Sequence, residues 1–191
     1  SSPILIEHNG QTCTILLNRE AMKIVDLQNG HTLKSFPWGF SRNDPSIVDD
    51  RMLLSNTQDG TTLLDISTDP PQPLWQRENI FGSLQGFVIY QKWAFGFSRS
   101  KQRSSLQFGG PFQCIDMERG TIVWEQNLGL WGSMILANDK LVIITGDGRL
   151  IVAEASPHGF KTISSAQVYP IEPKELKGPR SCFWSMPVLS H

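Results

Sequence analysis

Short apolar runs alternate with turn residues along most of the chain, and this pattern predicts β-strands. Residues 132–136 and 140–144, for example, are two such runs joined by an Asn-Asp pair, and residues 44–54 repeat the arrangement around an Asp-Asp pair. Apolar runs of this length joined by Asp and Asn are typical of β-hairpins. A helical period is confined to residues 171–177. We therefore expect an almost entirely β protein.

A hairpin with an acidic residue at its turn recurs in the sequence. Its clearest copy, Asp116–Trp124, reads Asp-x-x-x-Gly-x-x-x-Trp, and Asp26–Lys34 matches it except that a lysine replaces the tryptophan. The Asp side chain can accept hydrogen bonds from backbone N–H groups of the turn, and Gly accepts the positive φ that the turn needs. Looser copies contain Asp65 and Glu154. Because these acidic residues recur once per unit, we interpret them as turn-stabilising rather than catalytic.

The repeats have a period of about 40 residues, with one insertion, which is the size of a four-stranded propeller blade. We expect blades at 1–43, 44–81, 82–131 and 132–181, with the start of another blade at 182–191. The predicted fold class is therefore an all-β propeller of four-stranded antiparallel blades, of which about four are present.

The stretch Asp116–Trp124 resembles the quinoprotein-like propeller repeat, which is named for dehydrogenases that use pyrroloquinoline quinone (PQQ). The resemblance implies a ring of seven or eight blades, so that this chain is a partial ring. It also implies a bacterial protein with a periplasmic or extracellular location, although the chain shows no signal peptide. The WD40 repeat has the same period, but its Trp-Asp ending is absent, since Trp124 is followed by Glu125.

Four blades cannot close such a ring without leaving strand edges exposed, and exposed edges invite pairing. We expect either a piece of a longer chain or self-association through the open blade edges.

The resemblance raises an enzymatic alternative, a fragment of a PQQ-dependent alcohol or sugar dehydrogenase with PQQ and calcium as cofactors. Such enzymes have a pair of adjacent cysteines, whereas Cys13, Cys114 and Cys182 are far apart and read as buried thiols. None of the four histidines shares a local constellation with a nucleophile. We therefore predict a non-catalytic scaffold without metal or cofactor, and a purely structural repeat array is a second alternative.

The charge balance excludes some partners. Seventeen basic and 18 acidic residues give a net charge of −1, so no overall field favours nucleic acid or an anionic membrane. No apolar run approaches the roughly 20 residues that span a bilayer. The expected partner is a protein or another extended ligand.

Binding is expected in the loops that connect one blade to the next, where propellers present their ligand-binding face. These loops contain aromatic and basic residues of the kind that anchor interfaces. The candidate binding residues are Trp38, Arg42, Phe81, Trp131 and Trp184. In three loops the aromatic precedes a small residue, as in Trp131-Gly132, and the alternative interpretation is that these aromatics wedge between blades as part of the core. The basic segment Ser98–Ser105 is a further loop in the third blade.

Overall fold

The protein is described by a computed structural model, in which residues 3–39, 41, 43–56, 59–82, 86–98 and 110–169 are described. The chain divides into two compact units, Ser1–Asn79 and Ile80–His191. All regular secondary structure of the described residues is β-strand.

The first unit contains two antiparallel sheets, each a simple meander of four consecutive strands. The first sheet consists of β1 (Ile4–His8), β2 (Gln11–Leu17), β3 (Ala21–Asp26) and β4 (Thr32–Pro37). The second sheet consists of β5 (Ser46–Val48), β6 (Arg51–Asn56), β7 (Gly60–Asp65) and β8 (Gln72–Arg77).

The second unit repeats this plan with two further four-stranded meanders. The third sheet consists of β9 (Val88–Tyr90), β10 (Trp93–Phe97), β11 (Phe112–Asp116) and β12 (Thr121–Gln126). The fourth sheet consists of β13 (Ser133–Ala137), β14 (Lys140–Ile144), β15 (Arg149–Glu154) and β16 (Thr162–Gln167). The first strands of these two sheets, β9 and β13, lie beside each other.

Each sheet has two distinct ends. At one end, called here the hairpin end, lie the turns from the first to the second strand and from the third to the fourth. The first of these turns has a non-glycine residue with positive φ in every sheet, namely Asn9, Asp49, Gln91 and Asn138. At the other end, called the connection end, lie the turn from the second to the third strand and the connection that leaves the fourth strand.

Apolar side chains pack between the two sheets of each unit and form its core. In the first unit, Cys13, Ile15 and Met22 of the first sheet pack in one cluster with Met52 and Leu54 of the second. In the second unit, three buried phenylalanines of the third sheet pack in one cluster with buried aliphatic residues of the fourth sheet. The sheets therefore bury their faces against each other, as neighbouring propeller blades do.

The all-β fold with four-stranded antiparallel blades is confirmed. Each sheet lies within one of the four expected blade ranges, while 182–191, the expected start of another blade, lies outside the described residues. The period was recognisable because each sheet repeats the same meander and the same turn chemistry.

Candidate functional site

The acidic residues of the repeat bind the turns at the hairpin end, as predicted. The Asp116 carboxylate accepts hydrogen bonds from the backbone N–H groups of Glu118 (2.9 Å) and Arg119 (3.1 Å), while Gly120 N–H donates to the Asp116 carbonyl at 2.8 Å. Gly120 has a φ of 63°, which favours glycine. Asp26 makes the equivalent bond to Gln28 N–H at 2.7 Å. Both aspartates are buried, and their carboxylates accept hydrogen bonds from groups of their own turns.

The two looser copies use related contacts. The Asp65 carboxylate accepts bonds from the hydroxyl and the backbone N–H of Ser67, and these bonds hold the pKa of Asp65 below its usual range. Glu154 pairs with Lys161 across its hairpin at 2.5 Å. The contacts of all four acidic residues at the hairpin end therefore stabilise their own turns and hairpins.

At the connection end of the first unit, buried hydroxyl and amide groups form a network. The Ser41 hydroxyl donates a hydrogen bond to the carbonyl of Ser55 at 2.8 Å and also contacts the side-chain oxygen of Asn43. The Thr61 hydroxyl donates to the Ser55 hydroxyl at 2.9 Å. All four residues are buried, so these bonds fix the connection to the end of β6.

The adjoining turn between β6 and β7 is held in the same way. Asn56 donates from its side-chain amide to the Asp59 carboxylate at 2.7 Å and accepts the Asp59 backbone N–H at 2.6 Å. Gly60 follows with a φ of 82°, and a Cβ there would lie 2.2 Å from the carbonyl oxygen of Arg77. The turn therefore sits directly against the end of β8.

The fourth sheet has the equivalent turn between β14 and β15. The Thr145 hydroxyl bonds to the Asp147 carboxylate, and Gly148 has a φ of 80°. The carbonyl of Gly148 accepts the backbone N–H groups of Val168 at 3.0 Å and Tyr169 at 3.1 Å. These two bonds fix the chain that leaves β16.

Tyr169 and Val168 are consequently held in place at the surface. Tyr169 is 58% exposed and Val168 is 50% exposed. An aromatic side chain that is exposed while its backbone is fixed loses little conformational entropy when a partner covers it. The connection end of the fourth sheet therefore presents an exposed aromatic residue on a backbone that is held by hydrogen bonds.

The predicted candidates that are described are buried. Trp38 is 5% exposed and lies in the core of the first unit, and Trp131 is 8% exposed and lies in the core of the second. The Trp131 indole donates to the carbonyl of Ser98 at 2.8 Å. Phe81 is also 8% exposed. This burial favours the packing interpretation over an exposed aromatic rim; Arg42 and Trp184 lie outside the described residues.

The small residue that follows the aromatic in these loops also has a packing explanation. A Cβ on Gly132 would lie 1.8 Å from the carbonyl oxygen of Ile144, so the backbone passes too close to β14 for any side chain. Gly82 similarly forms a bridge with Ser98, at the end of β10. Gly132 thus allows the connection to approach the second strand of the fourth sheet closely.

The cysteines that are described, Cys13 and Cys114, are buried free thiols, as expected, and Cys182 lies outside the described residues. Burial, together with the Asp116 charge, raises the pKa of Cys114 to about 12. Among the described residues there is no group of three or more His, Cys, Asp or Glu side chains arranged for a metal ion. Within the same part of the chain, no helix is long and apolar enough to cross a membrane.

Neither Tyr169 nor the network around Ser41 is among the binding candidates that the sequence predicts. The turn of residues 147–148 was visible in the sequence, but its role in fixing Tyr169 depends on the position of Gly148 relative to the end of β16. The Ser41 network depends on the return of the chain to the end of β6. Both contacts join residues that are far apart in the sequence, so no local sequence pattern predicts them.

Similar structures support the propeller class. The crystal structure of BamB from Moraxella catarrhalis is similar over 84% of this chain and 46% of its own, with 16% identity and a TM-score of 0.57. A chain from the S. cerevisiae complex of Dbp5 L327V with Nup159, Gle1 H337R, IP6 and ADP is similar over 92% and 45%, with 8% identity and a TM-score of 0.58. The computationally designed protein Ika8 is similar over 88% and 49%, with 11% identity and a TM-score of 0.61.

These likenesses concern the fold, and with the four meanders they define a protein with β-propeller blades. The chain spans about half the length of the structures that it matches. Neither a family model nor a curated protein sequence matches it.

Proposed function

We propose that this chain is a binding scaffold that holds a protein partner at the connection end of its fourth sheet. The observation that carries the proposal is the exposed Tyr169, whose backbone N–H is fixed by the Gly148 carbonyl. Tyrosine is favoured in protein interfaces because it combines a large apolar area with a polar tip.

The distribution of roles between the two ends supports this proposal. At the hairpin end, Asp26 and Asp116 are occupied by hydrogen bonds within their own turns. At the connection end of the fourth sheet, the turn that contains Asp147 and Gly148 fixes the chain that presents the exposed Val168 and Tyr169. Loops held by a rigid sheet are the usual place for binding in such folds.

The nature of the partner is inferred from the same surface. Val168 and Tyr169 are apolar or aromatic and carry no charge, which suits the apolar centre of a protein interface. The bacterial, periplasmic or extracellular setting that the sequence resemblance implies stays a prediction.

Photo-crosslinking in the cells that produce the protein tests the proposal. A photoreactive phenylalanine analogue replaces Tyr169 in one variant and, as a matched control, Leu27 in another. Leu27 is 48% exposed and lies in a turn at the hairpin end. We expect a discrete protein adduct from position 169 and none from position 27.

The same adduct from both positions, or no adduct from position 169, would contradict a binding site at the connection end. The identity of the crosslinked protein, read by mass spectrometry, supplies the partner for quantitative measurements.

A further inference from the structure

We propose that the outer edge of β16, which pairs with no other strand in the described part of the chain, accepts an extended segment of the protein partner as a fifth strand of the fourth sheet. This inference rests on the proposed function and names the surface and the conformation of the bound segment. β16 is the outer strand of its sheet, and among the described residues it pairs with β15 alone. All six of its residues, Thr162–Gln167, are exposed.

The other three outer strands carry residues that oppose the addition of a strand. Natural sheet edges are commonly protected by proline, which removes a backbone donor, or by charged side chains. β4 ends at Pro37, β8 contains Pro73 and Arg77, and β12 contains Glu125. β16 reads Thr-Ile-Ser-Ser-Ala-Gln and has neither proline nor charge.

Irregular pairing does not explain this difference. Register shifts occur between the third and fourth strands of all four sheets, at Ile24/Val25, Leu63/Leu64, Cys114/Ile115 and Val152/Ala153. A bulge can protect an edge, but here all four sheets share it. The absence of proline and charge is therefore what distinguishes β16.

The backbone N–H and C=O groups along the outer edge of β16 favour an extended chain as the bound segment. Alternate residues of an outer strand direct N–H and C=O groups away from the sheet, and only an extended backbone can pair with such a row. Exposed apolar groups lie along the same path, because Ile163 is 49% exposed and Val168 and Tyr169 follow the end of the strand. The segment that fits is therefore extended and carries apolar side chains opposite these positions.

A second copy of this chain fits the edge less well. Two six-residue strands bury far less than the roughly 1,200 Å² of a stable protein interface. A different protein that also covers Tyr169 adds contact area at the end of the strand. We therefore assign the edge to a partner segment.

Hydrogen exchange of the full chain with a strand-like peptide tests the assignment. The probe is a peptide with the sequence of β15, Arg149–Glu154, flanked by lysines for solubility, because β16 already pairs with this sequence in the fold. The control peptide carries N-methyl groups on alternate residues and cannot form the full ladder. At roughly millimolar peptide we expect amide exchange within β16 to slow about tenfold with the first peptide and to stay unchanged with the control.

Matched variants locate the binding. Ser165→Lys places a charge on β16 and should abolish the protection, while Val123→Lys makes the same kind of change on the outer strand β12 and should leave it intact. Both positions are exposed, so both variants are expected to fold, and circular dichroism checks this.

Three outcomes would overturn the inference: no protection of β16, equal protection by the N-methylated peptide, or protection without peptide that grows with protein concentration, which would identify a second copy as the occupant. The proposed function fails separately. If the crosslink at position 169 persists in Ser165→Lys while β16 gains no protection, the connection end binds a partner and only the strand addition is wrong.

Discussion

His8 illustrates at the scale of one residue how burial sets the chemistry of a side chain. It ends β1, is 4% exposed, and contacts the side-chain amide of Asn9 at 3.3 Å. Its pKa is lowered below the usual 6.5, first by burial and second by the Lys34 charge, while Asp50 acts in the opposite direction. The folded protein therefore favours neutral His8.

This shift predicts an acid-sensitive stability. Because the unfolded chain binds a proton at His8 more readily than the folded protein, stability should be full above about pH 6.5 and fall as pH drops through the lower pKa of the folded state. The melting temperature measured between pH 7.5 and 5 should therefore fall less in His8→Gln than in the wild type. His158→Gln, a change at an exposed histidine, should keep the wild-type profile. Equal pH profiles for all three proteins would contradict this assignment to His8.

At the scale of secondary-structure elements, side chains of two outer strands donate hydrogen bonds to the neighbouring sheet. Lys34 of β4 donates from Nζ to the carbonyls of Ile66 (2.7 Å) and Ser67 (2.9 Å), which follow β7. Trp124 of β12 donates from its indole to the carbonyl of Ser156 at 3.0 Å, after β15. Lys34–Ile66 and Trp124–Ser156 are both 32 residues apart, so the lysine occupies the position of the tryptophan and performs its role.

Substitution of Lys34 tests this link between sheets. Lys34→Met should lower the free energy of unfolding by about 1–3 kcal/mol, because the two carbonyls lose their donor. Lys34→Trp restores an indole donor of the kind that Trp124 provides and should be more stable than the methionine variant. Lys161→Met, at an exposed ion pair with Glu154, should change stability by less than about 1 kcal/mol. Chemical denaturation measures all three variants, and wild-type stability in Lys34→Met would refute the link.

The sequence predicted the elements better than the contacts between them. The turn at Asp116–Gly120 was predictable because a side chain two or three residues away satisfies its backbone, and the structure confirms those bonds. The role of Lys34 was not predictable, because its acceptors lie 32 and 33 residues later, directly after a strand of another sheet. Tyr169 was missed for the same reason, since its position depends on Gly148 at the end of a different strand pair.

At the scale of the whole molecule, the proposed function assigns structural roles to the hairpin ends of the sheets and a binding role to the connection end of the fourth sheet. The acidic residues at the hairpin end hold turns, and Asp116 is the clearest case because its carboxylate binds two backbone N–H groups. The connection end of the fourth sheet presents the fixed, exposed Tyr169. A change at one end should therefore affect stability, and a change at the other should affect binding.

Parallel measurement of melting temperature and partner affinity in Asp116→Ala and Tyr169→Ala tests this separation most directly, with the protein recovered by crosslinking at position 169 as the partner. Tyr169→Ala should raise the Kd about tenfold or more without changing the Tm, because truncation of an interface aromatic commonly costs more than about 1 kcal/mol. Asp116→Ala should lower the Tm and leave the Kd unchanged. The opposite pattern, with lost affinity in Asp116→Ala and wild-type affinity in Tyr169→Ala, would contradict the account.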